Sequence, residues 1–354
     1  MAGRPRVVFV LGAGASAAVS ETPIVTANLL GEILEHRSKY PPGEIAGAAA
    51  FVEFLSGASR DRPAVAPRID EILSLVDFAI DRRAPLGPDW PVDRMRTLRT
   101  SLVALIFECV QQKIDRRPTR SDALTQLVRA VVDRGRQAAV VTLNWDCLVE
   151  EAVFDRRTRH LPAIDYGIEC SDVHGAPIEP LPDATLVLKP HGSLSWNYCG
   201  VCSSVVVFLP RTSVMPRPES CPTCGSAAPL EPVVVPPTTL DWTEPPFLER
   251  VWTAVEQVLA GCEHAIFIGY SLPDQDLDVR FHLLRARARR TEPPLVTVVS
   301  RTPAGSDAKA DLGHRYESLL AGHACVEHLE YADGLAGWIP ARLGTALGEP
   351  EGAL

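Results

Sequence analysis

The chain has 354 residues, 46% hydrophobic and 22% charged, which is enough apolar material for a large core, so disorder is not the default. A formal net charge of −9 and the lack of any Lys/Arg run of five argue against a nucleic-acid footprint, and no stretch reaches the roughly 20 apolar residues that cross a membrane. Nine cysteines, with no charged n-region and apolar h-region at the start, point to a reducing, cytoplasmic setting where thiols serve metal or packing.

Residues 6–11 form a short apolar run that ends in Gly12-Ala13-Gly14-Ala15-Ser16-Ala17-Ala18, a buried strand feeding small residues and then a helix. Between Val25 and Arg134 the strand signal gives way to helical spacing. Ile69, Ile72, Leu73, Val76 and Ile80 make one apolar stripe, and Leu98, Leu102, Leu105, Ile106 and Cys109 another. Loops at 60–67 and 82–91 break this stretch into four or five helices. Further strand-length runs at 137–143, 185–189, 264–269 and 295–300 alternate with helical patterns at 247–260 and 277–289. That alternation predicts an α/β fold, a doubly wound parallel sheet with helices on both faces and a helical insertion. Many of the 31 prolines gather at 210–222 and 229–246, at the rim of a small module. The expected division is a sheet domain from 1–30, 135–198 and 230–345, a helical insertion at 31–134, a zinc ribbon at 199–229 and a frayed tail at 346–354. A weak amphipathic pattern around Leu335, Trp338, Ile339 and Leu343 closes the chain.

Two cysteine pairs, Cys199-Gly200-Val201-Cys202 and Cys221-Pro222-Thr223-Cys224, stand 18 residues apart. Each pair bites a metal from one turn, and the spacing fits a tetrahedral, structural Zn2+ site with four thiolates and no position for water. The Gly12 to Ser16 turn has the physics of a phosphate cradle, since glycines let N–H groups approach an anion at a helix start. It lacks the third glycine of the dinucleotide fingerprint, so close helix–sheet packing explains it equally well. Thr142-Leu143-Asn144-Trp145-Asp146 ends a strand at the carboxyl edge, where open α/β sheets bind ligands. Helix capping would account for Asp146 but leaves Asn144 unexplained. His191, between Pro190 and Gly192, follows the 185–189 run, a natural place for a general base. Gly269 and Ser271 close a further strand, and Asp276 reads as the cap of the helix that carries Arg280 and His282.

Taken in order, Gly-Ala-Gly-x-Ser, Thr-x-Asn-x-Asp, His-Gly-Ser, the two Cys-x2-Cys pairs and Gly-x-Ser resemble the sirtuin family, over about two thirds of the chain. The resemblance implies a Rossmann-like domain that takes NAD+ as substrate, a structural zinc module and cleavage of the nicotinamide–ribose bond. By that likeness Gly12, Ala13, Gly14 and Ser16 meet the pyrophosphate side, and Gly269 and Ser271 the adenosine side, with Thr142 also counted as cofactor-binding. Asn144 holds the ribose and its water, Asp146 lines the carboxamide pocket and His191 is the base. Protein deacylases carry Gly-Ile-Pro-Asp-Phe-Arg where this chain has Ser20-Glu21-Thr22-Pro23-Ile24, and Gln where it has Leu143. Their Phe-Gly-Glu strand, which pairs with the acyl-lysine peptide, is replaced by Val233-Val234-Val235-Pro236-Pro237-Thr238-Thr239, whose prolines lack N–H groups. These departures resemble a bacterial sirtuin-like branch of NAD+ hydrolases in antiphage defence that carry extra helices. The expectation is an NAD+ glycohydrolase with a homo-oligomer or defence-system partner docking through the helical insertion. An NAD+-dependent protein deacylase and a non-catalytic NAD+/ADP-ribose sensor are the alternatives.

Overall fold

A computed structural model describes residues 5–18, 26–56, 67–115, 123–154, 163–208, 220–235, 245–274, 276–292, 294–301, 308–320, 325–330 and 334–348. Ser20 to Ile24, most of the 60–67 loop, Pro236 to Thr239 and the tail beyond 348 lie outside these residues. β1 (Val7–Leu11) leads through the short α1 (Ala13–Ala17) into α2 (Thr26–Glu35), α3 (Pro42–Ser56), α4 (Ile69–Asp81), α5 (Val92–Asp115) and α6 (Ala123–Val132). β2 (Ala138–Thr142) and α7 (Leu148–Val153) follow, then β3 (Ile164–Asp165), β4 (Cys170–Ser171), β5 (Thr185–Leu188), β6 (Gly192–Tyr198), β7 (Val205–Val207) and β8 (Glu231–Val234). The remaining elements are α8 (Phe247–Gly261), β9 (His264–Ile268), α9 (Leu277–Ala288), β10 (Leu295–Ser300), α10 (Ala308–Leu320), β11 (Cys325–Glu330) and α11 (Leu335–Ala346).

Seven strands make one parallel sheet in the order β11-β10-β9-β1-β2-β5-β3. Burial on both faces is why β1 and β2 read as unbroken apolar runs rather than alternating ones. Val10 is in register with Val141 and Phe267, and all three look toward Trp252 and Val255 of α8 and Val279 and Leu283 of α9. Phe9, one residue along and so on the opposite face, meets Trp338 of α11 edge-on, with ring centroids 6.4 Å apart. Helices thus cover both faces, and the sheet is doubly wound as the sequence predicts.

Both apolar stripes of the helical stretch are buried where α4 and α5 pack together, except that Ile80 is only partly covered. Leu335, Trp338, Ile339 and Leu343 form the buried side of α11. No helix among the described residues is long and apolar enough to cross a membrane. A second sheet, β4-β7-β6-β8, is absent from the sequence expectations. Its central strand β6 alternates serines and an asparagine with apolar residues, yet is buried almost throughout, and β8 contains Pro232, so neither carries the usual strand signal.

β2, β5 and β3 lie on one side of β1, and β9, β10 and β11 on the other, so the winding reverses between β1 and β9. Chains leaving the sheet in opposite directions there open a crevice beyond the carboxyl ends of the strands.

His264 opens β9, partly buried, with its ring Nε2 2.8 Å from Thr297 Oγ1, and burial pushes its pKa down to about 4. The unfolded chain takes up a proton at this group near pH 6.5 that the fold excludes until about pH 4. Stability is therefore lost as pH falls through that window and is independent of His264 above it. Urea-unfolding free energies measured from pH 7 to pH 4 are expected to decline less steeply in His264→Gln than in the wild type.

Candidate active site

The exits of β1 and β9 are stitched together by backbone. Gly12 N donates to Ile268 O at 3.0 Å and Gly14 N to Gly269 O at 2.8 Å. A Cβ on Gly12 would lie 2.6 Å from Tyr270 Cα, and one on Gly14 would lie 2.7 Å from Gly269 Cα; Gly269 itself has φ +62°. Close packing therefore accounts for both glycines of the turn, and two N–H groups of the expected phosphate cradle are already engaged.

A cavity of about 210 Å³ opens at this edge. Its wall brings together Gly12, Ala13, Asn144, Asp146, His191, Gly269 and Ser271, which come from the carboxyl ends of β1, β2, β5 and β9. Leu29 of α2, Arg68 just before α4, and Ile106 and Val110 of α5 roof it, so the helical stretch closes the site, a role that periodicity alone could not announce.

Gly14, Ser16 and Thr142 are not in the wall but behind it. Asn144 Nδ2 donates to Gly12 O at 2.9 Å and to Ser16 Oγ at 2.7 Å, and the Ser16 hydroxyl donates in turn to Asp146 Oδ2 at 2.6 Å. Thr142 Oγ1 accepts from the Asn144 N–H at 3.3 Å. Ser16, 1% exposed, thus spends its hydroxyl on orienting two site residues. With both amide hydrogens engaged inside the protein, Asn144 keeps its Oδ1 for an incoming donor. Asp146 Oδ1 accepts from Leu148 N at 3.1 Å, the first N–H of α7, although Cys147 holds the cap position, so a bond to the helix start and a place in the wall coexist.

Lys189, fully buried, donates Nζ to Asp146 O at 2.6 Å and to Glu150 Oε1 at 3.0 Å, and Tyr166 OH donates to the same oxygen at 3.3 Å. Burial works against the Lys189 charge, but the neighbouring carboxylates, Glu150 above all, outweigh it and hold the ammonium above the usual lysine range. Sequence reasoning passed this residue over because a lysine at a strand end ordinarily reaches solvent. Burial also pushes the Cys147 thiol up to about 12, which removes it as a nucleophile.

His191, 3% exposed, occupies the corner where β5 ends and β6 begins. Gly192 makes the corner with φ +78°, and a Cβ there would strike the Val233 carbonyl. Val235 N donates to His191 O at 3.0 Å, and the ring packs edge-on to Trp252, centroids 5.7 Å apart. Its Nε2 points at Asp276 Oδ1 from 3.8 Å. The capping role expected of Asp276 is not what the fold uses. Its φ −83° and ψ 68° are not the extended conformation of a capping residue, and it makes no side-chain capping bond. Its Oδ2 accepts instead from Tyr270 OH at 2.6 Å, and burial followed by that carboxylate raises the Tyr270 phenol well above its ordinary range.

The four cysteines converge apart from the cavity, their sulfurs all within 4.8 Å of one another. Cys199 and Cys224 sulfurs are 3.9 Å apart and those of Cys202 and Cys221 3.8 Å, against about 3.8 Å for the edge of a tetrahedron with 2.3 Å Zn–S bonds. The two turns match: Ser203 N returns to Cys199 O and Gly225 N to Cys221 O, each at 2.8 Å. The donor set fits Zn2+ held structurally by four thiolates.

Residues 138–319, just over half the chain, match the family model for a SIR2-like domain. The chain belongs to the SIR2-like family. Solved structures of similar fold include a Sir2 homologue in complex with NAD, at 15% identity over 97% of this chain and 89% of that one, TM-score 0.46. Another is Sir2Tm bound to a propionylated peptide, at 13% identity over 97% and 92%, TM-score 0.41. No curated protein matches the sequence. The SIR2-like segment takes in Asn144, Asp146, His191, the four cysteines, Gly269 and Ser271, while β1 and α2 to α6 precede it.

Lys189→Met is expected to lower the unfolding free energy by about 3–5 kcal/mol, because Glu150 would remain buried without a counter-charge; chemical denaturation measures the loss. Cys199→Ser is expected to abolish binding of one zinc per chain and to lower the melting temperature, whereas chelator should reproduce the shift in the wild type only.

Proposed function

We propose that this SIR2-like protein is an NAD+ glycohydrolase that releases nicotinamide and ADP-ribose. The observation that carries the reading is the meeting of Asn144, Asp146 and His191 with the β1 turn in one cavity. At about 210 Å³ it falls below the ~300–1,000 Å³ of pockets that enclose drug-sized ligands, so it suits the nicotinamide–ribose half and leaves the adenylate outside. Arg68, fixed by paired bonds of 3.1 and 2.8 Å to Asp70, brings a guanidinium to the wall where a pyrophosphate would pass.

As the bond between ribose C1′ and nicotinamide breaks, its electron pair leaves with nicotinamide and positive charge spreads over C1′ and the ring oxygen. Water adds its oxygen to C1′ and gives a proton to His191, which returns it to solvent. NAD+ and water thereby become nicotinamide, ADP-ribose and a proton. Asn144 Oδ1 accepts one hydrogen of that water and so aims its lone pair, while Asp146 favours the developing cation. Zinc bound by the four thiolates would be structural.

Water is favoured over acyl-lysine as the acceptor by the edge of β8. A peptide pairing there needs the outward carbonyls of Pro232 and Val234. Arg99 of α5, ion-paired to Asp77, already donates to both, at 3.5 and 3.0 Å. Unrestrained NAD+ loss would harm the producing cell, so we assign the protein to antiphage defence, with the trigger received by the helices that roof the cavity, through a partner or a second copy.

Purified protein given NAD+, with and without acetylated peptide, is expected to yield nicotinamide and ADP-ribose equally in both, as read by mass. His191→Ala and Asn144→Ala should each slow NAD+ loss by ~10²–10⁴ while the protein stays folded, as read by circular dichroism. Wild-type rates in both variants sink the assignment. Peptide-dependent release with an O-acyl-ADP-ribose product selects the deacylase, and tight binding without turnover selects the sensor.

A further inference from the structure

The cavity wall holds a second carboxylate that the steps above leave unused. Asp276 lies in the loop between β9 and α9, 3% exposed, and its two oxygens differ in surroundings. Oδ2 accepts from Tyr270 OH, and Tyr270 is pinned in turn by Tyr316, whose OH donates to Tyr270 O at 3.0 Å. Oδ1 is buried without a hydrogen-bond partner. So is His191 Nε2, and the two atoms stand 3.8 Å apart.

Buried polar atoms without partners are rare, because each forfeits the hydrogen bonds that water gave it. Here an imidazole nitrogen and a carboxylate oxygen in that condition face each other across one gap. Capping does not explain the carboxylate, since no capping bond forms. Tyr270 does not explain it either, because an amide oxygen at position 276 would accept that hydroxyl equally well. What the second oxygen adds is an acceptor aimed at the imidazole. The gap exceeds a hydrogen bond, as catalytic pairs often do before the substrate arrives. Leu272, in the same loop, has φ +48°, a conformation that side chains rarely adopt, so the loop is held away from its relaxed form.

On the hydrolase reading, which this inference rests on, we propose that Asp276 is the positioning residue of His191. When ligand fills the cavity, Nε2–H donates to Asp276 Oδ1. That bond fixes the ring tautomer, leaves Nδ1 unprotonated to receive the proton of the attacking water, and stabilises the imidazolium that results.

The test reads the ring nitrogens directly. In protein labelled with 15N-histidine and saturated with ADP-ribose, the His191 signals, assigned by their loss in His191→Gln, are expected to show Nε2 protonated and Nδ1 bare. Asp276→Asn should shift the population toward Nδ1–H and lower kcat for NAD+ by ~10²–10⁴ with KM nearly unchanged. An Nδ1–H tautomer in the wild type overturns the proposal, and this arm stands even if the variant does not fold. A folded Asp276→Asn with kcat within about threefold of wild type also overturns it. The same holds if Asp278→Asn, at the other carboxylate whose charge acts on His191, produces the changes in its place. A tautomer shift in a protein that never consumes NAD+ would count against the hydrolase reading and leave the pairing intact.

Discussion

No side chain fits where β1 and β9 leave the sheet. Gly12 and Gly14 run against Gly269 and Tyr270 so closely that an added methyl at either would overlap backbone, and the two N–H to carbonyl bonds of 3.0 and 2.8 Å lock the crossing. Everything in the cavity is placed relative to that contact. Asn144 hangs its amide on Gly12 O, Ser16 follows from the turn by one step of α1, and Tyr270 emerges on the other side to hold Asp276. The glycines are thus spacers first. They bring two loops from opposite directions of winding to within reach of one small ligand, and any anion they bind must use the N–H groups that the crossing leaves over.

Beneath this layer lies a charge that water never reaches. Lys189 joins the carboxyl end of β5 to the backbone after β2 through Asp146 O, while Glu150 on α7 balances it. A buried ion pair is a weak source of net stability, and a hydrophobic pair of the same volume would serve as well. What it supplies is direction. The Asp146 carbonyl cannot rotate away without stranding an ammonium, so the Asn144 to Asp146 corner has one orientation, and the donated bonds run Asn144 to Ser16 to Asp146 in one sense only.

The parts of this architecture that show in the sequence are those whose physics is local. Strands buried on both faces are mainly apolar, as in β1, β2, β9 and β10, and amphipathic helices repeat at fixed spacing, as in α4 and α5. A metal quartet needs two short cysteine pairs, and polar residues at the ends of apolar runs declare a sheet edge. What stayed hidden depends on contacts distant in sequence. β6 and β8 are held by pairing and by Arg99, not by β propensity, and Arg68 reaches the cavity only because α4 folds over it. Asp276 stands where a cap belongs, and only Tyr270 and His191, brought in by other strands, distinguish it from one. Ser16 differs in the other direction. Its motif suggested a ligand contact, and the fold spends its hydroxyl on positioning Asn144 and Asp146.

The cysteine module, apart from the cavity, still bears on it through β6. His191 and Cys199 bracket that strand, and Cys221 and Cys224 precede β8, which lies beside it. Val234 pairs with Gly192, Val235 N holds His191 O, and Trp145 Nε1 reaches Val235 O at 3.0 Å, so β8 touches both polar corners of the site. A metal drawing the two cysteine turns together fixes the far ends of β6 and β8, and a short strand pair fixed at one end has little freedom to slide in register at the other. The Gly192 corner makes that register matter, because a slip of one residue would bring a different carbonyl against a position that tolerates no Cβ. Thiolate geometry is in this way converted into the placement of an imidazole, with no need for the metal to approach the substrate.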